Sequence, residues 1–123
     1  MSEELPAALG YTGGVVVGPG IDRSQPRPLL AVLEANPGQA DDLRARIITL
    51  TRANRQEPGC VAFIPFEAEE FPGRFYLYEI FANADAFEEH LETDHVKEFR
   101  AALSSVSPSG PGDLVQLVEI PVP

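Results

Sequence analysis

The chain has 123 residues, 44% of them apolar, and a formal charge of −10 from 9 basic and 19 acidic side chains. A chain of that length buries roughly two thirds of the surface its unfolded form exposes, so one domain can form a core unaided. The negative charge disfavours nucleic-acid phosphates and anionic membranes as partners, and a lone Cys60 excludes an intrachain disulfide framework and a Cys-rich zinc site.

Residues 1–28 hold five of the ten glycines and four of the twelve prolines. They read as an extended or disordered N-terminal arm, with one possible edge strand around Gly14–Val17. Met1-Ser2-Glu3-Glu4 lacks the basic-then-apolar order of a secretory leader, and no apolar run reaches the ~18 residues of a membrane span. The expected location is the cytoplasm. The folded domain is expected over 29–123.

Leu29-Leu30-Ala31-Val32-Leu33, closed by Pro37-Gly38, has the form of a buried strand. Gln39–Arg55 contains no Gly or Pro, and Leu43, Ile47, Leu50 and Asn54 recur at helical spacing. Asp41 and Asp42 in its first turn and Arg52 and Arg55 in its last complement the helix dipole, and both arginines are expected to be solvated there. Glu57-Pro58-Gly59 makes a turn. Cys60–Glu67 alternates as a strand whose Pro65 marks an edge or a bulge, and Cys60, with no basic neighbour in sequence, is read as inert. After Phe71-Pro72-Gly73, Phe75–Phe81 is the richest strand, with Phe75, Leu77, Glu79 and Phe81 on one face and Tyr76, Tyr78 and Ile80 on the other.

Asn83 caps a helix over Asp85–Glu92, and Thr93 caps a second over Asp94–Leu103. Leu114–Ile120 alternates as a last strand before Pro121 and Pro123. The order β-α-β-β-α-(α)-β predicts an α+β fold, a ferredoxin-like split βαβ with an antiparallel sheet and helices on one face. The uncovered face, carrying Tyr76, Tyr78 and Ile80, is not polar. An apolar sheet face of that kind predicts a homodimer packed sheet to sheet, unless the N-terminal arm covers it.

His90 and His95 are the only histidines. His95 leads Phe99 and Leu103 along an apolar helix stripe, and His90 sits with Phe87 and Leu91 on the inward side of its own helix. Imidazoles so placed serve either as core groups or as bases able to take a phenolic proton. Glu79, a carboxylate in an apolar strand, needs a partner if buried; a histidine or Arg74 would serve, and Glu79 would then orient the base. The candidate catalytic residues are His90, His95 and Glu79. Phe63, Phe81, Phe99, Tyr76 and Tyr78 are the candidates for binding a flat apolar ring, or else ordinary core. A two-histidine metal site completed by Glu79 is conceivable; the favoured reading has no metal and no cofactor. No glycine-rich phosphate loop stands in the strand–loop–helix context it requires.

Gln39–Arg55, Glu57-Pro58-Gly59-Cys60, Phe75–Phe81, and Phe87 with His90, Thr93, His95 and Phe99 occur in an order that resembles the antibiotic biosynthesis monooxygenase (ABM) domain, over roughly Leu29–Ile120. The resemblance implies a dimeric α+β barrel of two ferredoxin-like subunits, each with a cavity between sheet and helices. It also implies an oxidation of aromatic phenols or quinols by dioxygen without metal, flavin or haem. Many members carry Trp where Phe81 stands, and the absence of Trp here speaks against haem degradation. A non-catalytic dimeric small-molecule binder, or an isomerase of a small enolisable metabolite, is the alternative, since fold transfers further than reaction.

Overall fold

The computed structural model describes residues 22–108 and 112–123, so the edge strand expected near Gly14–Val17 lies outside the described residues. The elements are β1 (Arg27–Glu34), α1 (Ala40–Asn54), β2 (Cys60–Glu67), β3 (Arg74–Phe81), α2 (Ala84–Leu91), α3 (Asp94–Val106) and β4 (Asp113–Gln116). The strands form one four-stranded antiparallel sheet in the order β2-β3-β1-β4, the ferredoxin-like α+β arrangement expected from the sequence. No helix among the described residues is long and apolar enough to cross a membrane.

Strand alternation decides which side chains meet the helices. Leu29, Ala31 and Leu33 of β1, Phe75, Leu77 and Phe81 of β3 and Phe63 of β2 are buried against Leu43, Ile47 and Leu50 of α1 and Val96, Leu103 and Val106 of α3. On the other face, Ile64, Tyr78 and Leu30 stand in one cross-strand row and Phe66, Tyr76 and Val32 in the next. No helix among the described residues covers those rows, and all six side chains keep some or much of their surface open.

Pro65 lies on β2, the sheet's edge, where its missing N–H costs no ladder bond. Register slips at Cys60/Ala62, leaving Val61 as the extra, exposed residue of a bulge. The Asn83 side chain caps α2 through the Ala86 N–H at 2.8 Å, and the Thr93 hydroxyl caps α3 through the Val96 N–H.

Three expectations are corrected. First, β1 begins at Arg27, two residues before the predicted domain start. The chain just ahead of it is docked: the Ala84 N–H donates to the Arg23 carbonyl, and the Arg23 guanidinium reaches Asp85 and Glu88 at 2.7 and 2.9 Å. Second, β4 stops at Gln116, short of the predicted Ile120. Its pairing on β1 runs only from Val32 to Leu29, because the next residue there, Pro28, has no N–H to donate. The Leu117 N–H still reaches the Pro28 carbonyl, after which Val118, Ile120 and Val122 are 75%, 78% and 85% exposed. Third, Arg55 is no free dipole partner: its guanidinium donates twice to the Phe63 carbonyl, at 3.0 and 2.7 Å, and so caps the β2 edge.

Candidate functional site

Four local features bring the polar groups of the helix–sheet layer together. The chain leaving α1 turns through Glu57-Pro58-Gly59, with the Glu57 N–H donating to the Asn54 carbonyl. Gly59 lies so close to α2 that a Cβ there would stand 2.4 Å from the Ala86 Cβ, so the turn seats Glu57 beneath the end of that helix. His90 occupies the last turn of α2 and His95 the first turn of α3. Thr93 joins them, its hydroxyl donating to the His90 carbonyl at 2.7 Å.

Both imidazoles converge on one carboxylate oxygen. Glu57 Oε2 lies 2.8 Å from His90 Nδ1 and 2.6 Å from His95 Nε2. An ionised carboxylate only accepts, so the bonding pattern assigns the protons to His90 Nδ1 and His95 Nε2. In the neutral ring this leaves His90 Nε2 with its lone pair available. His90 is 5% exposed, and its ring packs 4.4 Å from that of Phe81, centroid to centroid. Burial pushes the Glu57 carboxyl up, but the hydrogen bonds and charges of His90 and His95 outweigh it and hold the group below the usual carboxylate range.

Glu79 projects from β3 into the same layer and is 6% exposed. Its carboxyl makes no hydrogen bond to any described residue. Burial, reinforced by the nearby Glu57 charge, raises it from the ordinary 4.5 to about 8, so it is a neutral acid at pH 7. Glu79, His90, Asn54, Phe63, Leu77 and Phe99 are among the residues lining a cavity of about 50 Å³ between sheet and helices. Leu50 and Phe99 form part of its wall and also line a separate groove of about 250 Å³ that contains His95.

The sequence-predicted site residues thus divide. His90, Glu79, Phe63 and Phe99 come together at the cavity. His95 touches the same carboxylate but lines the outer groove. Phe81 is wholly buried behind His90 and supports its ring. Tyr76 and Tyr78 point away, onto the uncovered sheet face, because they alternate with the inward Phe75, Leu77 and Glu79. Glu79 does not orient a histidine; Glu57 does. Nor does Arg74 pair with Glu79: it lies over the Phe71 ring at 4.4 Å, with Glu34 at 3.5 Å.

Two residues of the site are absent from the sequence-derived set. Glu57 was legible only as part of a turn. Asn54 carried a signal, as the one polar member of the apolar series Leu43, Ile47, Leu50 and Asn54. The ligating atoms of Glu57, His90 and His95 lie within 4.8 Å of one another, a two-nitrogen, one-oxygen set suited to a divalent transition metal. In this geometry the Glu57 oxygen already satisfies both imidazole N–H groups. Burial, followed by the charges of Glu57 and Glu79, pushes the Cys60 thiol up, which keeps it protonated and unreactive at neutral pH.

Residues 29–102 match the family described as antibiotic biosynthesis monooxygenase. Among solved structures the fold is similar to PA3566 from Pseudomonas aeruginosa, 25% identical, with 81% of this chain and 99% of that one covered at a TM-score of 0.74. It is similar also to Rv0793 from Mycobacterium tuberculosis, 22% identical over 80% and 98% of the two chains with a TM-score of 0.73. The crystal structure of an antibiotic biosynthesis monooxygenase matches at 23% identity, 77% and 99% coverage and a TM-score of 0.72. The uncharacterized protein sll1783 of Synechocystis sp. is 27% identical over 67 residues, which are 54% of this chain; the match spans about half the length of that relative, 46%. With Glu57, Glu79, both histidines and Phe99 all inside the matched segment, the chain belongs to the antibiotic biosynthesis monooxygenase family.

Proposed function

We propose that the protein is a cofactor-independent monooxygenase that oxidises an aromatic phenol or quinol with dioxygen, and that His90 is its base. The observation carrying this reading is the pairing, at one small cavity, of a histidine whose tautomer is fixed by a carboxylate with a neutral carboxylic acid, Glu79. His90 Nε2 takes the proton of a ring hydroxyl. Glu57, still ionised, accepts the Nδ1–H bond and stabilises the imidazolium that forms. Glu79, protonated, donates a hydrogen bond to the phenolate oxygen where negative charge develops.

The substrate anion then supplies all four electrons that dioxygen takes up, two as a ring carbon bonds to oxygen to give a hydroperoxide and two as its O–O bond breaks with loss of water. One oxygen atom becomes bonded to ring carbon, and the other leaves as water with the two hydrogens the substrate loses. The apolar walls of Phe63, Leu77 and Phe99 exclude bulk water from that step. A cavity of about 50 Å³ holds dioxygen but not a fused ring system, so in this reading the ring enters from the groove as Phe99 turns aside. Mass spectrometry of the product formed under ¹⁸O₂ tests the reaction: one labelled atom per product supports it, and product labelled only from water overturns it.

The size of the cavity favours one second reading. A base and a neutral acid at a site this small also suit proton shuttling on a small enolisable metabolite, that is, an isomerase. Exchange of solvent deuterium into such a metabolite without oxygen uptake would select it. For assembly, we propose a homodimer joined through the uncovered face carrying Leu30, Val32, Ile64, Phe66, Tyr76 and Tyr78. In this reading the partners are dioxygen, the aromatic substrate and a second copy of the chain, with neither nucleic acid nor membrane, in the cytoplasm.

A further inference from the structure

Asn54, the last residue of α1, is 0% exposed, and neither its Nδ2 nor its Oδ1 has a hydrogen-bond partner among the described residues. Nearby polar groups are satisfied within the fold: Glu57 holds the histidines, and the Thr51 hydroxyl one turn before donates to the Ile47 carbonyl at 2.7 Å. Leaving a buried carboxamide unpaired is expensive, and a Leu at this position would extend the Leu43-Ile47-Leu50 stripe without that cost. The amide lines the same cavity as Glu79, His90 and Phe99.

We propose that the Asn54 carboxamide is the ligand-reading group of this cavity, and that it selects a planar ring bearing a hydrogen-bond donor beside an acceptor. A primary amide presents an N–H donor and a carbonyl acceptor on one edge, and the matching edge is that of a lactam or an enolised hydroxy-ketone. Phe63, Leu77 and Phe99 form the apolar part of the wall, and Arg100 and Asp113 line the cavity as well. The inference rests on reading this cavity as the ligand site and on the movement of Phe99 that admits a ring to it, but not on the oxygen chemistry assigned to it.

The test uses 2-pyridone, which carries the donor–acceptor edge, and N-methyl-2-pyridone, in which the donor is blocked. Each is titrated into the full chain and followed by amide-resolved NMR. The wild type is expected to bind 2-pyridone at least ~10-fold more tightly than its N-methyl derivative, since a site built around a hydrogen bond rejects the ligand that lacks it. In Asn54→Leu, close to isosteric, that preference should fall to within about twofold, while Tm equals or exceeds that of the wild type. Equal affinities in the wild type, or no binding of either probe, overturn the proposal, and neither result requires a variant to fold. A fall in Tm for Asn54→Leu also overturns it, because the amide would then be satisfied within the folded protein. Loss of oxygen uptake with preserved pyridone selectivity would discard the oxygenase reading and leave this one standing.

Discussion

Replacing Glu79 by glutamine keeps the side chain's shape and removes its titration. The folded protein holds the Glu79 proton up to about pH 8, whereas the unfolded chain releases it near 4.5. Between those values the folded state binds one more proton, so its stability falls as pH rises. The stabilisation is complete below pH 4.5 and is lost by the time pH passes the folded value. The slope is about 1.4 kcal/mol per pH unit, or about 4 kcal/mol between pH 5 and pH 8. Glutamine has no such slope. Urea denaturation of both proteins at pH 5, 6, 7 and 8 should therefore show the variant gaining on the wild type. With m near ~2 kcal/mol/M, the gap in midpoints widens by on the order of 2 M urea over that range. Parallel curves would mean that Glu79 is ionised in the folded protein at neutral pH, and its role as a neutral donor would fall.

Three further outcomes follow from the same geometry. Glu57→Ala leaves the buried His90 Nδ1–H without its acceptor and should cost about 2–3 kcal/mol in chemical denaturation; because the Glu57 carboxyl is held below its ordinary range, the wild type should lose that contribution as pH falls beneath about 4.5. Gly59→Ala drives a methyl against Ala86, and should lower stability by about 1–3 kcal/mol while shifting the His90 imidazole resonances. Ile64→Asp, on the uncovered sheet face, should convert a dimer into a folded monomer in sedimentation velocity; a wild type already monomeric at high concentration would contradict the proposed assembly.

Local chemistry made much of the fold readable in the chain. Asn83 and Thr93 announced both later helices because capping is decided within three residues, and Pro65 announced an edge or a bulge because a missing N–H breaks the ladder in the middle of a central strand. Alternation in Phe75–Phe81 placed Glu79 on the buried face. What the chain hid was long-range. Glu57 meets histidines 33 and 38 positions away, and within Glu57-Pro58-Gly59 nothing separates a carboxylate that holds two imidazoles from an ordinary turn residue. The end of β4 was set by Pro28 on a strand at the opposite end of the chain. The same alternation that turned Glu79 inward also put Tyr76 and Tyr78 on the far side of the sheet, so a site holding all three was ruled out by strand geometry alone.

The most direct test of the central claim is the initial rate of oxygen consumption by metal-stripped protein with a panel of hydroquinones and anthrone-type phenols, for the wild type and for folded His90→Ala. With His90 as the base, the wild type consumes oxygen without added metal or cofactor, and the substitution lowers the rate on the order of 100-fold, about 2.7 kcal/mol of barrier. Equal rates in the two proteins, or no uptake above the blank, would contradict it.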